Sequence, residues 1–206
     1  MSESATILDA TAGNRMIWKT KTHPKIIWID IETELQIPPD KVMDCTKTDF
    51  LDESLNCIFF DPPHGYGKKL GGSWTSLRNI DDCKNYKWKA PRSEKDSSAP
   101  PYWGWDKYKN KSQLLSFIHK AQKEFYRILK EDGMLWVKWN ECVIKLNKIL
   151  PFFKNWHEML RFPIANPLQT IGESQTYWIM FMKNTNAIGT LDLAEFTNYS
   201  SKKENE

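Results

Sequence analysis

An acidic residue, two prolines and a histidine follow a hydrophobic run in the first third of the chain. The run at 58–60 predicts a buried strand that ends at Asp61. Pro62 and Pro63 then fix an extended turn, because proline locks φ and has no N–H to donate. The carboxylate of Asp61 and the carbonyl of Pro62 are therefore acceptors held at the strand's C-terminal end, beside the flat ring of His64. Two acceptors next to an aromatic ring suit a planar group that carries an amino group.

Asp-Pro-Pro followed by an aromatic ring, after a hydrophobic strand, resembles the Asp-Pro-Pro-Tyr motif of S-adenosylmethionine-dependent amino-methyltransferases. Those enzymes methylate exocyclic nitrogens, mostly of adenine or cytosine, in DNA or RNA. The resemblance implies that Asp61, Pro62, Pro63 and His64 form the catalytic turn, with His64 stacked on the target base where relatives use tyrosine. An imidazole offers less stacking area than a phenol, and imidazoles can titrate near neutral pH. The alternative is a rigid turn without a catalytic role, in which the histidine bonds a backbone group.

A second turn, built of small residues, lies upstream after a short apolar strand predicted at 6–8. A strand, a small-residue turn and a helix form the layout that binds a nucleotide-like ligand at the strand's C-terminal edge. This stretch resembles motif I of class I methyltransferases, Asp-x-x-x-Gly-x-Gly. Asp9 and Gly13 match, whereas Arg15 stands at the second glycine. We expect the Arg15 guanidinium to lie near the cofactor's carboxylate and residues 16–18 to open a helix; an ordinary loop is the alternative. The predicted cofactor contacts are Asp9, Ala10, Thr11, Ala12, Gly13, Asn14 and Arg15.

Acidic residues follow the next two predicted strands. The continuous apolar run within 25–32 suits a strand buried on both faces of a parallel sheet, and Asp30 and Glu32 lie at its end. An acid roughly twenty residues past the first turn can accept both ribose hydroxyls, and we favour Asp30 because it directly follows the run. The alternative is a solvated strand end. At a brief third strand, 42–45, the resemblance implies that Asp44, next to Cys45, meets the adenine amino group of the cofactor.

Residues 66–111 are rich in Gly, Pro, Ser, Lys and Asn and show no lasting periodicity. A structureless loop of this length in a compact domain is usually functional or disordered. Basic residues here outnumber acidic ones roughly two to one, and aromatic residues lie among them. Lysines neutralise phosphates and aromatic faces stack unpaired bases, which predicts a nucleic-acid lid; the alternative is that the rings pack the loop onto the domain. The predicted substrate contacts are Tyr66, Lys68, Trp74, Trp88, Trp103 and Trp105, together with Lys138 and Asn140 at the end of a later strand.

The second half of the chain shows helix and strand patterns. Helical spacing predicts a helix at 113–129, a stop at 130–133 and a buried strand at 134–139. A helix at 143–153 and strands at 156–163 and 176–182 follow. The predicted fold is α/β, a Rossmann-like class I methyltransferase with a mostly parallel seven-stranded sheet, an antiparallel last strand and helices on both faces. The predicted domain spans residues 1–183, and residues 184–206 form a polar C-terminal tail.

Length and composition set further bounds. The 206 residues suit one domain, and 40% hydrophobic and 27% charged residues are typical of a globular chain. No apolar run reaches membrane-spanning length and no signal peptide is visible, so we expect an intracellular, cytoplasmic protein without a membrane partner. The four cysteines include no C-x-x-C pair, so we expect no metal site. A net charge of +3 neither demands nor excludes nucleic acid.

The sequence therefore favours an S-adenosylmethionine-dependent methyltransferase that acts on an exocyclic amino nitrogen of a nucleobase, adenine N6 above all, in DNA or RNA. Two alternatives stay open: N-methylation of a protein amide or a small molecule, and a non-catalytic binding subunit that keeps the fold. The resemblance includes no separate target-recognition domain. We therefore expect residues 66–111 or a partner subunit to read the nucleic-acid target.

Overall fold

Seven strands form one mixed sheet in the part of the chain that the computed structural model describes, residues 6–66, 107–141, 143–164 and 175–183. They are β1 Ile7–Asp9, β2 Ile26–Asp30, β3 Lys41–Val42, β4 Leu55–Phe60, β5 Leu129–Asn140, β6 Trp156–Pro163 and β7 Thr176–Lys183. Their order across the sheet is β3-β2-β1-β4-β5-β7-β6. The first five strands pair in parallel, and β7 runs antiparallel to both β5 and β6. The predicted Rossmann-like sheet with an antiparallel last strand is confirmed.

The helix α1, Lys111–Ile128, packs its apolar stripe against one face of this sheet. Asn110 begins the helix, because its side-chain oxygen accepts a hydrogen bond from Gln113 N at 3.0 Å. The ring of Phe125 meets Phe60 of β4 edge-on, with centroids 4.9 Å apart. The helix starts two residues before the predicted start. Its first residues are polar, so they did not contribute to the apolar spacing from which the helix was predicted. No helix in the described ranges is long and apolar enough to cross a membrane.

β5 begins directly after α1 and includes the stretch that the sequence predicted as a helix stop. Its pairing moves from Leu129 to Met134 while β4 advances by only two residues, so β5 bulges between them. Asp132 adopts a φ of 57° there. A Cβ on Gly133 would lie 2.8 Å from the Lys130 carbonyl oxygen, which excludes any larger residue without a backbone shift. Gly133 therefore shapes a strand bulge. The helix ends one residue before its predicted end, and the residues predicted as its stop belong to β5.

Two short 3-10 turns, Leu146–Lys148 and Leu150–Phe153, replace the α-helix predicted at 143–153. Pro151 has no N–H to donate and its ring hinders the preceding turn, so an α-helix cannot continue through it. It lies in the first turn of the second 3-10 segment, where the missing N–H has no cost. The apolar period alone did not reveal this interruption.

The chain between β1 and β2 forms tight turns, so the helix predicted to open at 16–18 is absent there. Arg15 N donates to the Ala12 carbonyl at 2.7 Å, and Trp18 N donates to the Arg15 carbonyl at 3.0 Å. Arg15 has a φ of 56°, a left-handed conformation that a right-handed helix cannot accommodate.

β3 contains two residues, Lys41–Val42, whereas the sequence predicted a strand at 42–45. Asp44 Oδ1 accepts a hydrogen bond from Thr46 N at 2.8 Å, and Lys47 N donates to the Asp44 carbonyl at 3.1 Å. These local bonds form a turn that competes with strand pairing.

Candidate active site

The two predicted turns lie side by side at the carboxyl edge of the sheet. β1 and β4 are neighbours, with Asp9 in register with Phe59. Ala10 N donates to the Phe59 carbonyl at 2.9 Å, and Asp61 N donates to the Thr11 hydroxyl, also at 2.9 Å. The Thr11 side chain thus joins the turn after β1 directly to the turn after β4. The candidate cofactor turn and the candidate catalytic turn are therefore in contact.

Asp61 lies between two nitrogen groups. Lys138 Nζ, from β5, donates to Asp61 Oδ2 at 2.7 Å, and His64 Nε2 lies 3.2 Å from Asp61 Oδ1. Burial raises the pKa of Asp61, but hydrogen bonds and charge from His64 and Lys138 outweigh burial and hold that pKa below its usual value. Asp61 is therefore a carboxylate at neutral pH and a poor acceptor of a proton.

The ring of His64 is fixed on two sides. Besides Asp61 it meets Trp139 edge-on, with ring centroids 5.4 Å apart. Its Nδ1 is shielded and has no hydrogen-bond partner among the residues that the structure describes. Pro62 is buried and Pro63 half-buried, so the turn that carries the ring is anchored. Stacking of this ring on a target base stays a prediction.

The turn after β1 contains an open glycine supported by an acid from β2. Gly13 adopts a φ of 47°, and nothing lies within 4 Å of the position where its Cβ would be. Glycine is therefore needed for its backbone conformation, and the space above it is free. Asp30 Oδ2 accepts a hydrogen bond from Gly13 N at 2.8 Å, while Ala10 and Ala12 are buried. Asp30 braces the turn, and its role toward ribose hydroxyls stays a prediction.

Asp9 lies beneath this turn and is 1% exposed. Trp18 Nε1 donates to Asp9 Oδ2 at 2.6 Å, and Thr11 N donates to Oδ1 at 3.3 Å. Burial raises the pKa of Asp9 to about 7; the negative charges of Asp61 and Asp30 add to this rise, and the two hydrogen bonds oppose it. No sequence pattern had indicated Trp18 as the partner of this acid.

The Arg15 side chain binds the segments that flank β2. Its Nη2 donates to Asp40 Oδ1 at 3.0 Å and to the Pro38 carbonyl at 2.9 Å, and its Nη1 donates to the Lys21 carbonyl. The guanidinium carbon lies 4.1 Å from the Trp28 ring centroid. Both terminal nitrogens are therefore bound within the protein. This placement differs from the expected contact with the cofactor's carboxylate, and it gives Arg15 a structural role.

The remaining predicted cofactor contacts have different surroundings. Glu32 is exposed and forms an ion pair with Lys107. Asp44 is exposed in its turn after β3, whereas Cys45 is buried in the core, where burial raises the pKa of its thiol. Asn14 Oδ1 accepts a backbone hydrogen bond at 3.2 Å from the loop between β2 and β3. Asp44 can therefore meet a ligand from solvent, and Cys45 supports the turn from inside.

Three of the predicted substrate contacts are described. Lys138 lies in the site through its bond to Asp61. Asn140, two residues further along the same face of β5, donates to Thr176 Oγ1 at 2.6 Å, and Tyr66 packs against the core. The others, Lys68, Trp74, Trp88, Trp103 and Trp105, lie outside the described residues.

An aromatic row, defined as Trp18, Phe59, Trp136 and Trp178, runs across the sheet face that carries the site. Phe59 stacks on Trp136 with centroids 6.2 Å apart and planes at 6°, and Trp178 meets both rings edge-on. Trp18 contacts Phe59 at 4.8 Å. Trp136 lies two residues before Lys138, and alternation along a strand puts both on one face. This alternation along the strand was the one feature of the sequence from which the aromatic row could have been predicted.

A protein-family model described as DNA methylase (N6_N4_Mtase) matches residues 55–202, well over half of the chain. The chain belongs to this DNA methylase family. The matched range begins at β4 and includes the Asp-Pro-Pro turn, whereas the turn after β1 precedes it. S-adenosylmethionine is the cofactor of this family, so the predicted cofactor is confirmed.

Several solved structures have a similar fold. The PH0226 protein from Pyrococcus horikoshii is 10% identical, with 89% of this chain and 84% of that chain covered and a TM-score of 0.51. The N-methyltransferase NodS from Bradyrhizobium japonicum is 9% identical, with 88% and 85% covered and a TM-score of 0.48. The geranyl diphosphate C-methyltransferase from Streptomyces coelicolor is 8% identical, with 87% and 71% covered and a TM-score of 0.45. Likeness at these identities shows the fold alone. No curated protein sequence matches the chain.

Proposed function

We propose that this member of the DNA methylase family transfers a methyl group from S-adenosylmethionine to an exocyclic amino nitrogen of a nucleobase, with adenine N6 favoured. The observation that carries the proposal is the hydrogen bond from Asp61 N to the Thr11 hydroxyl. Because this bond joins the two turns, an amine bound at Asp61 would lie next to a ligand bound on the turn after β1. Methyl transfer requires this adjacency, because the two reacting atoms must be brought into contact.

The residues of the turn after β1 fit the cofactor of the family. Open space lies above Gly13, where a larger side chain would otherwise intrude. Asp30 ends β2, and Glu32 and Asp44 follow β2 and β3 at the same edge of the sheet, where carboxylates can accept hydrogen bonds from hydroxyl and amino groups. When bound, the cofactor supplies an electrophilic methyl group. These residues are the candidates to hold it.

Asp61 would act through its position and charge. The lone pair of an exocyclic amine is delocalised into the base, which makes the amine a poor nucleophile. When Asp61 accepts one N–H and the Pro62 carbonyl accepts the other, the lone pair becomes localised on nitrogen. The low pKa of Asp61 keeps this acceptor charged at neutral pH, and Lys138 and His64 fix its direction.

Nucleic acid as the substrate class rests on the family description, and the choice of adenine rests on the motif. In duplex DNA the target base would have to leave the stack, at a cost of a few kcal/mol. A single-stranded nucleic acid would avoid this cost. A partner subunit that reads the target stays a prediction.

Transfer of labelled methyl from the cofactor into separate DNA, RNA and protein pools, followed by nucleoside analysis, tests the proposal. We expect the label in N6-methyladenine of a nucleic-acid pool. Label confined to the protein pool would contradict the proposed substrate class.

Asp61→Asn is the matched test of the mechanism, because it removes the charge with almost no change in shape. We expect the single-turnover rate of methyl transfer to fall by about 100-fold or more, with the cofactor dissociation constant changed by only a few-fold. Asp52→Asn is the control, since Asp52 is exposed and precedes β4 at the opposite edge of the sheet. An Asp61→Asn variant as active as Asp52→Asn would exclude this role for Asp61.

A further inference from the structure

We propose that the aromatic row, together with Phe162 of β6, binds the unpaired nucleotides that flank the target base, so that the preferred substrate is a single-stranded nucleic acid. This inference rests on the proposed function and deepens it. It names the form of nucleic acid that the site takes and the surface that holds it, which lies outside both turns of the candidate active site.

Two of the rings lie level with the catalytic carboxylate on the sheet. Lys138, which bonds Asp61, is the register partner of Trp178 on β7, and Trp178 is the partner of Phe162 on β6. Neighbouring strands are about 4.8 Å apart, so Trp178 lies about 10 Å from Asp61 across the sheet. Successive charges of a DNA strand are about 3.4 Å apart even when its bases are stacked. A strand bound at Asp61 therefore reaches these rings within about three nucleotides.

The inner rings of the row lie on the same sheet face as the site. Phe59 comes two residues before Asp61, and Trp136 comes two residues before Lys138. Alternation along a strand puts each pair on one face. Trp18 contacts Phe59 at 4.8 Å and so extends the row to the turn after β1. The row is therefore continuous with the candidate active site.

The rings present surface to solvent despite their contacts with one another. Phe162 is 44% exposed and meets Trp136 edge-on, with centroids 6.4 Å apart. The four members of the aromatic row are half-buried. The one α-helix among the described residues, α1, packs on the opposite face. Exposed aromatic rings stack unpaired bases of any sequence, because every base has a π-face.

A basic segment, defined as residues 19–25, continues the row beyond Trp18. It contains three lysines and no acid, and Lys19 is exposed. Lys21 Nζ donates to the Arg15 and Trp18 carbonyls at 2.7 Å each, which holds the segment against the row. Cations beside aromatic faces are the combination that binds single strands, since cations neutralise phosphates while the rings stack bases. Lys19 is therefore the phosphate contact of this surface.

A duplex fits this surface less well than a single strand. The bases of a duplex stack on one another and are hidden from the rings, and the target base must first leave the stack. An unpaired strand offers its bases without this step. A second copy of the chain, or another segment of the same chain, could also cover apolar rings, and measurements of affinity, oligomeric state and stability separate these occupants.

Fluorescence anisotropy measures the binding without any need for methyl transfer. The probe is a short DNA oligonucleotide with one adenine among thymines, and an RNA oligonucleotide with one adenine among uridines is its counterpart. We expect a single strand of at least one of them to bind wild type about 10-fold or more tightly than its duplex. Equal affinity for single strand and duplex in both DNA and RNA would overturn the inference.

Two substitutions remove a stacking ring each, Phe162→Leu and Trp178→Leu. Phe152→Leu is the matched control, because Phe152 is a half-buried aromatic residue that contacts His119 of α1 on the other face of the sheet. We expect the dissociation constant of the single strand to rise by about 10-fold in Phe162→Leu and in Trp178→Leu, and by no more than about 2-fold in the control. Unchanged affinity in both ring variants would overturn the inference.

A modified probe tests stacking on the wild-type protein itself. Removal of the bases next to the adenine, with their sugars and phosphates kept, should weaken binding to wild type by about 10-fold. The same removal should have little further effect on Phe162→Leu. If wild type binds this probe as tightly as the intact strand, the rings do not hold bases and the inference is overturned.

The salt dependence of binding tests the phosphate contact. Lys19→Gln should make the slope of log affinity against log salt shallower by about 0.7, which corresponds to one phosphate contact of a single strand. Lys120→Gln is the control, since Lys120 is exposed on α1. Equal slopes in wild type and Lys19→Gln would contradict this contact.

Other occupants of the rings, and failure of the proposed function, give different results. Ring variants that change the oligomeric state or the free energy of unfolding, with unchanged affinity for the single strand, would overturn the inference in favour of a second copy or of the chain itself. Wild type that binds no oligonucleotide overturns the inference and the proposed function alike. Formation of N6-methyladenine together with an affinity that does not depend on the rings overturns the inference alone.

Discussion

Asp9 and Asp61 are carboxylates at the ends of neighbouring strands, and their surroundings shift their pKa values in opposite directions. His64 and Lys138 lower the pKa of Asp61 against the effect of burial. Asp9 has only Trp18 and a backbone N–H to oppose its burial, so its pKa rises to about 7. Pairs of titratable groups whose pKa values are shifted in opposite directions are frequent at functional sites. Near neutral pH Asp9 is partly protonated, which limits its repulsion of the charged Asp61.

The raised pKa of Asp9 predicts a loss of stability as pH rises. Between about pH 4 and pH 7 the unfolded chain has released this proton while the folded protein still holds it, so the free energy of unfolding decreases with pH. Asp9→Asn cannot titrate and should remove this part of the dependence. Urea unfolding at about pH 5 and about pH 8 should show that wild type loses more free energy of unfolding between these pH values than Asp9→Asn does. Equal losses would contradict the pKa of Asp9.

The identity of the catalytic-turn residues could be predicted because Asp-Pro-Pro is a local feature of the sequence. The partners of these residues could not. Trp18 reaches Asp9 across nine positions and Lys138 reaches Asp61 across 77. Such contacts depend on which strands are neighbours and on their register, and neither is encoded by the turn itself.

At the scale of the elements, the turn after β1 has a left-handed residue where the family motif has its second glycine. Arg15 has a φ of 56°, a conformation that costs a non-glycine residue about 1–2 kcal/mol. Its bonds to Asp40 and to the Pro38 and Lys21 carbonyls hold it there. The residue type therefore departs from the motif, while the backbone has a left-handed conformation that glycine reaches without strain.

Two substitutions of Arg15 separate backbone strain from side-chain contacts. Arg15→Ala and Arg15→Gly both lose the guanidinium, but only glycine relieves the strained φ. Glycine also gains freedom in the unfolded chain, so the net advantage is smaller than the strain. We expect Arg15→Gly to be more stable than Arg15→Ala by about 0.5–1 kcal/mol in urea unfolding. An alanine variant of equal or greater stability would exclude strain at this position.

The strands and α1 could be predicted from apolar runs and helical spacing because burial of whole faces produces these patterns. The connections could not, because single residues determine them. Pro151 divides a predicted helix into 3-10 turns, and Gly133 permits a close backbone approach inside a strand. A glycine after a helix is typical of a helix end and of a bulge alike, so the pattern did not separate the two.

At the scale of the whole molecule, the strand order brings together segments that are far apart in the chain. The parallel order puts the ends of β1, β2 and β4 at one edge, where the site forms. β5 then adds Lys138 from the next strand, and the aromatic row lies on the same face. The sequence predicted Lys138 as a substrate contact, and this stays a prediction. Its bond to Asp61 became evident only from the pairing of β4 with β5.

Lys183 connects the last strand to the rest of the sheet. It is 4% exposed, and its Nζ donates to the Leu129 carbonyl at 2.6 Å and to Glu53 Oε1 at 3.1 Å. The same nitrogen lies 5.1 Å from the ring centroid of Tyr126 in α1. One buried cation thus joins the end of β7 to the start of β5, to α1 and to the loop before β4.

Lys183→Met should lower the free energy of unfolding by about 1–3 kcal/mol, because it removes a charged donor from the buried Leu129 carbonyl while keeping the length of the side chain. Glu53→Gln is the matched control. Glu53 is 59% exposed, so water screens its ion pair and we expect a change below about 1 kcal/mol. Urea unfolding of both variants measures the difference. If Glu53→Gln is as destabilising as Lys183→Met, the surface ion pair, and not the buried bond to Leu129, anchors the last strand.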